Sequence, residues 1–299
     1  MAVLIWFEII FGLVLPKKVA ESKDSYLIRW RELYSKEAGA KIICLGSSRV
    51  HRHYNPEIIS GITHLTTEVI AEPGAKIDVF ERLYDDYLKK NQRPKILLVG
   101  IDLTGLDSVV FLPSPEQFFP PMDLSDHISE MSEFSLIKYH KPLGYFYYKE
   151  LYMDLMENPV LQPHINGFLV RDEKWDSSLE DFIGKYPHGF AFKVFQPTLA
   201  KIFQFMAREK KAGVQCIGVI APEYHEVWKY ENNRTSTLKQ IYQYANSVKI
   251  PIWNFSDSSY KSCFNKEIFY NSQHLNKEGS TIFSKDLSDS ILRYCSLGN

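Results

Sequence analysis

Five short apolar runs, separated by polar or helix-forming stretches, constrain the fold of this chain most strongly. Each run has the length of a strand and carries apolar residues at successive positions, which is typical of strands buried on both faces of a parallel sheet. We predict strands over Lys41–Leu45, His64–Ile70, Lys95–Ile101, Val214–Ile220 and Ile250–Phe255.

Helical patterns lie between these runs. Apolar residues recur at helical spacing over Ile77–Leu88, Leu199–Ala207, Ser236–Val248 and Ser280–Tyr294. Strands that alternate with helices predict an α/β fold, with a five-stranded parallel sheet between two helical layers. Right-handed crossovers then bring the carboxyl ends of the strands to one edge, where sites form in α/β proteins.

The stretch over residues 104–197 breaks this alternation, because it is rich in proline and aromatic residues. We interpret it as an insertion, with a short helix over Tyr148–Met156, inside one domain that spans residues 19–299.

The first 18 residues are predicted to form a segment apart from this domain. Residues 2–15 are apolar except for Glu8 and are followed by Pro16-Lys17-Lys18. The run is shorter than the about 20 residues of a typical span, which leaves a truncated membrane anchor, an interfacial helix or a helix packed on the domain. We favour the anchor; its lysines then predict a cytoplasmic body, in conflict with the envelope location implied below.

Composition excludes several classes of function. The net charge is −1, so nothing indicates a nucleic-acid partner. The sequence has no metal-ligand cluster, phosphate-binding glycine loop or dinucleotide fingerprint, so we expect no metal and no cofactor. We expect Cys44 and Cys216 to be buried thiols in central strands, and a Cys263–Cys295 disulfide stays open.

Two segments at opposite ends of the chain carry the chemistry. Gly46-Ser47-Ser48-Arg49 follows the first strand, where glycine permits a sharp turn and the following N–H groups can stabilise an oxyanion. Tyr270-Asn271-Ser272-Gln273-His274 precedes the last helix and offers a general base. Either residue alone could be a helix cap. Together they predict a serine that meets a histidine above the sheet.

These two blocks resemble those of the SGNH/GDSL hydrolase superfamily. In that family G-D-S or G-S-S follows the first strand and D-x-x-H precedes the last helix. The closest pattern is a bacterial envelope branch with G-S-S-R and D-x-x-H-L-N. The resemblance implies a flavodoxin-like SGNH fold, with Ser48 as nucleophile, His274 as base, and the N–H groups of Ser48 and Gly74 as the oxyanion hole.

Two positions depart from the family pattern. Asn271 stands where the family has its acid, and Asp102 stands where an oxyanion-hole asparagine is expected. We expect Asp102 to face away from the site or to bind a neighbouring backbone group. Arg49 is predicted to bind an anionic substrate or to pair with an acid such as Asp102.

Several further residues follow strand ends. Tyr224 and His225, in the loop after the fourth strand, are predicted to contact substrate. His51 and His53 could line the mouth of the site, but we favour polar helix positions for both.

The resemblance implies an esterase, deacylase or acyltransferase that uses a Ser–His pair on an acylated glycan or other small ester in the bacterial cell envelope. A cytoplasmic location stays open, as does membrane association through residues 2–15. Two alternatives stand beside it. One is a catalytically silent SGNH-like module that binds glycan or scaffolds envelope polysaccharide assembly. The other is an ordinary α/β binding domain in which Ser48 and His274 never meet.

Overall fold

The computed structural model describes residues 39–107, 164–165 and 167–297. The predicted N-terminal anchor over residues 1–18 lies outside the described residues, as do most of the predicted insertion and the predicted helix over Tyr148–Met156. The chain divides into two compact units. The larger comprises Gly39–Glu81, Gln92–Phe111 and Ile165–Asn299. Of the smaller, the structure describes residues 82–91 and 164.

The strands of the described chain are β1 to β9 in sequence order. Their bounds are Ile42–Gly46, Thr67–Ala71, Ile96–Gly100, His164–Ile165, Phe168–Leu169, Gln215–Ile220, Ile252–Asn254, Phe269–Asn271 and His274–Leu275. Helices α1 to α7 span Ser48–His53, Pro56–Thr63, Ile77–Lys90, Ser178–Lys185, Gln196–Lys211, Arg234–Ser247 and Lys277–Leu297. Short 3₁₀ helices cover Leu103–Leu106, His225–Tyr230, Lys261–Phe264 and Lys266–Ile268.

Five strands form one sheet in the order β2-β1-β3-β6-β7, and every pair in it is parallel. This confirms the predicted α/β fold class with its five-stranded parallel sheet. The order is that of flavodoxin-like proteins: β2 lies on one side of β1, and the later strands are added one after another on the other side. Right-handed connections therefore place α1 and α2 on one face of the sheet and α5 and α6 on the other.

β2 and β7 begin later than predicted for local reasons. His64 ends α2 in the left-handed conformation, so β2 begins only at Thr67. Before β7, Lys249 has a positive φ and Pro251 lacks an N–H group to donate to the sheet, so the strand begins at Ile252.

The core on one face of the sheet is built from alternating residues of its strands. Ile42 and Cys44 of β1 belong to this buried cluster, and equivalent positions of β2, β3 and β6 join them. Phe283, Leu287 and Ile291 of α7 cover the cluster. Helix α7 therefore closes this face and follows directly on the β8–β9 segment.

Val50 of α1 lies against the backbone of two strand ends. A Cβ built on Gly46 would lie 2.6 Å from Val50 Cγ2, and one built on Gly100 would lie closer still. Glycine at the ends of β1 and β3 thus lets the first turn of α1 sit directly on the sheet.

All four cysteines are free thiols. Cys44 and Cys216 are buried in β1 and β6, as predicted. Cys263 and Cys295 are not joined by a disulfide. Within the described ranges no helix combines the length and the apolar character needed to cross a membrane.

We expect Gly100→Ala to lower the free energy of unfolding by about 1–3 kcal/mol, because the new methyl group must displace Val50 or the strand. Gly61→Ala is the control: its Cβ would meet no atom within 4 Å, and alanine is the better helix former. Urea unfolding of both variants measures the difference. Equal stability of the two variants would contradict the close approach.

Candidate active site

Ser48 lies at the junction of β1 and α1. β1 ends at Gly46, Ser47 has extended backbone and α1 begins at Ser48. The Ser48 Oγ lies 2.9 Å from His274 Nε2, although 226 residues separate them in sequence. The structure therefore brings together the serine and the histidine that the sequence singled out, and the alternative in which they never meet is wrong.

His274 belongs to a small antiparallel ladder. β8 and β9 pair Asn271 with His274, and the Asn271 Oδ1 lies 3.0 Å from His274 Nδ1. The same Oδ1 accepts the Gln273 N–H at 3.0 Å, as in an Asx turn.

This shared oxygen fixes the hydrogen positions on the imidazole. The Gln273 N–H can only donate, so the atom that it meets must be the carbonyl oxygen of the Asn271 amide and not its nitrogen. That oxygen can only accept, so Nδ1 of His274 carries the proton. Nε2 then presents its lone pair to the hydroxyl of Ser48, as a general base requires.

The surroundings of His274 favour its neutral form. Burial lowers the pKa of His274 well below its ordinary value, and the positive charges of Arg52, Arg49 and Arg171 lower it further. The ring is held in place by Tyr270, which stacks on it with centroids 5.5 Å apart, while the hydroxyl of Tyr270 accepts a hydrogen bond from Arg52.

His53 is a second buried imidazole beside the first. Its Nε2 accepts the N–H of Leu275 at 3.1 Å, and its ring meets His274 edge-on at 6.0 Å. His53 occupies a helix position, as the sequence interpretation favoured, but its side chain is fully buried and does not lie at the site mouth. Burial, His274, Arg49 and Arg52 lower its pKa.

Two histidines that stay neutral in the folded state affect stability. In acid the unfolded chain binds protons that the folded chain excludes. Stability therefore falls as the pH drops below about 6.5, the ordinary pKa of histidine.

Ser48 lines a cavity of about 420 Å³, and Gly74 contributes to the same wall. Gly74 has a φ of +71°, which favours glycine at this position. The N–H of Ser48 lies in the first turn of α1 and has no intrahelical partner. Both predicted oxyanion-hole residues therefore border one space.

Asp102 also lines this cavity. Its carboxylate accepts a hydrogen bond from the hydroxyl of Ser47, and its Oδ1 lies 3.5 Å from Arg49 Nε. The expectation that Asp102 faces away or binds a backbone group is wrong. The reason is that Arg49 and Ser47 together compensate its carboxylate at the cavity wall.

Arg49 is buried and pairs with two acids. Its Nη2 lies 2.5 Å from Glu223 Oε1, and its Nε faces Asp102. Of the two roles predicted for Arg49, the structure contains the ion pair; substrate binding by Arg49 stays a prediction.

Tyr224 and His225 are not among the described residues that line the cavity of Ser48. The Tyr224 ring contacts Trp175 at 5.0 Å, and the His225 ring lies 4.4 Å from Phe264. Their predicted contact with substrate stays a prediction. Among the described residues no group of three or more potential ligand side chains could hold a metal ion.

Gln273 is the site residue that sequence reasoning missed. Its N–H orients Asn271, and it also lines the cavity. A signal was present in the spacing, since asparagine two residues before a backbone donor is typical of an Asx turn.

No protein-family model matches the chain, and no curated protein matches it. Solved structures do. A protein of Desulfitobacterium hafniense assigned to the G-D-S-L lipolytic family aligns with a TM-score of 0.42 and 11% identity, over 84% of this chain and 99% of its own. A GDSL-like lipase of Bacteroides thetaiotaomicron aligns with a TM-score of 0.43 and 13% identity, over 90% of this chain and 98% of its own. A lipase/acylhydrolase of Enterococcus faecalis aligns with a TM-score of 0.41 and 9% identity, over 84% of this chain and 95% of its own.

We expect His274 to be neutral and protonated on Nδ1 at pH 6.5, because burial and three arginines oppose its positive charge. Nitrogen-15 imidazole spectra, assigned with His274→Gln, report both tautomer and titration. Asn271→Asp should raise the titration midpoint, whereas Gln243→Glu, which adds one charge on the exposed face of α6, should not. A proton on Nε2 would contradict the assignment.

Proposed function

We propose that this chain is an SGNH-type serine esterase that works through Ser48 and His274. One observation carries the proposal: the Ser48 Oγ lies 2.9 Å from Nε2 of His274, and Nδ1 of the same ring donates a hydrogen bond to Oδ1 of Asn271. A nucleophile, its base and a group that orients the base are then aligned in series, which is the arrangement that activates a serine.

The reaction follows from this geometry. The Ser48 Oγ attacks the ester carbonyl carbon while its proton passes to His274 Nε2, and the carbonyl oxygen becomes an oxyanion. The N–H groups of Ser48 and Gly74 stabilise that oxyanion. The imidazolium then protonates the departing alkoxide, which leaves an acyl group on Ser48. Water then attacks the acyl carbon while His274 takes its proton. The bond from that carbon to Ser48 Oγ breaks, Oγ takes the proton back from His274, and the carboxylic acid leaves.

Asn271 orients His274 but supplies no negative charge. In a serine protease the change from aspartate to asparagine at the equivalent position lowers turnover about 10⁴-fold because it selects the wrong tautomer. In this chain the Gln273 N–H holds Oδ1 of Asn271 toward His274, which supports the productive tautomer. The remaining loss is the Coulombic stabilisation of the imidazolium.

The substrate class rests on the sequence resemblance. The G-S-S-R block and the H-L-N block, which has Asn271 in place of the aspartate of the branch pattern, support an acylated glycan or another small ester of the bacterial cell envelope. Replacement of water by a sugar hydroxyl in the second step would make the same site an acyltransferase. Membrane association through residues 2–15 belongs to this proposal, and those residues lie outside the described part of the chain.

A silent SGNH-like module that binds glycan is the second candidate. Asp102 favours it, because a carboxylate at the cavity wall replaces the amide donor expected of an oxyanion hole. Against it, Arg49 and Ser47 compensate that carboxylate.

A fluorophosphonate probe should label Ser48, since the probe reacts only with an activated serine. Ser48→Ala and His274→Ala should both lose the label, whereas Ser47→Ala should keep it on residue 48, as read by peptide mass mapping. An unlabelled native chain with a normal unfolding midpoint would favour the silent module.

Substitutions at Asn271 separate orientation from charge. We expect Asn271→Leu to lower kcat/KM for p-nitrophenyl butyrate by about 10²–10⁴-fold, because Nδ1 loses its acceptor. Asn271→Asp should raise kcat/KM above that of the native chain, because a carboxylate stabilises the imidazolium. Ser272→Ala, in the same turn, serves as the control. Full activity of Asn271→Leu would exclude Asn271 as the orienting group.

A further inference from the structure

The cavity of Ser48 has two chemically different walls. The strand ends and the turn before β9 contribute polar groups, among them Ser48, Asp102 and Gln273. The other wall is apolar and is formed by Ile77, Phe80, Leu106 and Ile202, each of them at most 5% exposed. We call this second set the apolar wall.

The apolar wall is assembled from three elements that carry none of the catalytic groups. Ile77 and Phe80 lie in the first turns of α3, Leu106 in the 3₁₀ turn after β3, and Ile202 in α5. These elements are tied together nearby. Lys201 of α5 pairs with Asp78 and lies 3.4 Å from Glu81, and the Phe195 N–H donates to the carbonyl of Leu106 at 2.8 Å. The wall is therefore held in place independently of the catalytic residues.

The charged groups around the cavity compensate one another. Lys76 and Asp107 line it as a mutual ion pair, and Asp102 is matched by Arg49. The space next to Ser48 thus offers neither an uncompensated cation nor an uncompensated anion to a ligand among its described lining residues. An uncharged, apolar group suits it best.

We propose that the apolar wall binds the acyl chain of the substrate, and that this chain has several carbons rather than the two of an acetyl group. The inference rests on the proposed function, because it assigns the acyl side of the ester that Ser48 would attack. Cavities of about 300–1,000 Å³ hold drug-sized ligands, so an acetyl group would leave most of this one unfilled. Ile202 is then a residue that determines acyl-chain specificity.

The size of the effect follows from the burial of methylene groups. Each buried methylene contributes about 0.8 kcal/mol, which corresponds to about fourfold in kcat/KM if the contact is made in the transition state. We expect kcat/KM to rise about fourfold per methylene along p-nitrophenyl acetate, butyrate and hexanoate, and to level off when the cavity is full.

Two substitutions at Ile202 test the wall in opposite directions. We compare kcat/KM for p-nitrophenyl octanoate with kcat/KM for p-nitrophenyl acetate. Ile202→Phe should lower this ratio by tenfold or more, because the larger side chain fills the cavity beside the apolar wall. Ile202→Ala should move the optimum to longer chains. Ile241→Ala is the matched control: Ile241 is equally apolar and fully buried in α6 but does not line the cavity. It should lower the unfolding midpoint while the chain-length profile keeps its shape.

The outcomes separate this inference from the proposed function. A flat profile, or one that peaks at acetate, in a native chain whose Ser48 is labelled by a fluorophosphonate overturns the acyl-chain assignment alone. The same holds if Ile202→Phe and Ile241→Ala give identical profiles. Absence of both labelling and ester turnover overturns the proposed function and the inference with it.

Discussion

The buried contact between Arg49 and Glu223 is the constraint on which the site depends. Arg49 directly follows Ser48, and Glu223 follows β6, so the pair joins α1 to a distant strand end at 2.5 Å. Burial alone would raise the pKa of Glu223, but Arg49 and Arg234 lower it to about 2. The next residue, Tyr224, donates its N–H to the carbonyl of Ser272 at 2.9 Å, in the turn that leads to His274. The loop after β6 therefore contacts Arg49, the residue next to Ser48, and the turn that leads to His274.

Removal of either partner of this contact would take one of two counter-ions from a buried charge, because Glu223 would keep Arg234 and Arg49 would keep Asp102. The cost should therefore stay below the about 3–5 kcal/mol of a buried charge left alone. Loss of one partner therefore lowers the free energy of unfolding, even though the intact pair contributes little net stability relative to an apolar core. Its position makes Arg49 a good candidate for the alignment of α1 with the loop after β6. The same guanidinium also faces Asp102 and, after burial and Arg52, contributes to the lowered pKa of His274.

Much of the framework was predictable because it depends on short-range patterns. Continuous apolar runs give buried strands, and the parallel order brings Ser48 and His274 to one edge. What could not be predicted depends on contacts between residues far apart in sequence. Asp102 turns toward the cavity because Arg49 and Ser47 lie there, and His53 is buried because Leu275 supplies it with a donor. The orientation of Asn271, by contrast, depends on the N–H of Gln273 two residues later, for which the sequence carries an Asx-turn signal.

The short β8–β9 ladder has a consequence for how such a site can change over time. It carries the proposed base and the group that orients it, three residues apart. The contact with Gln273 comes from the backbone N–H, which every residue except proline would provide. Asparagine and aspartate codons differ by a single nucleotide. A charge at position 271 can therefore be gained or lost in one genetic step while the backbone contact that orients this residue is kept. Under the proposed mechanism, the strength of catalysis would change without any change of fold.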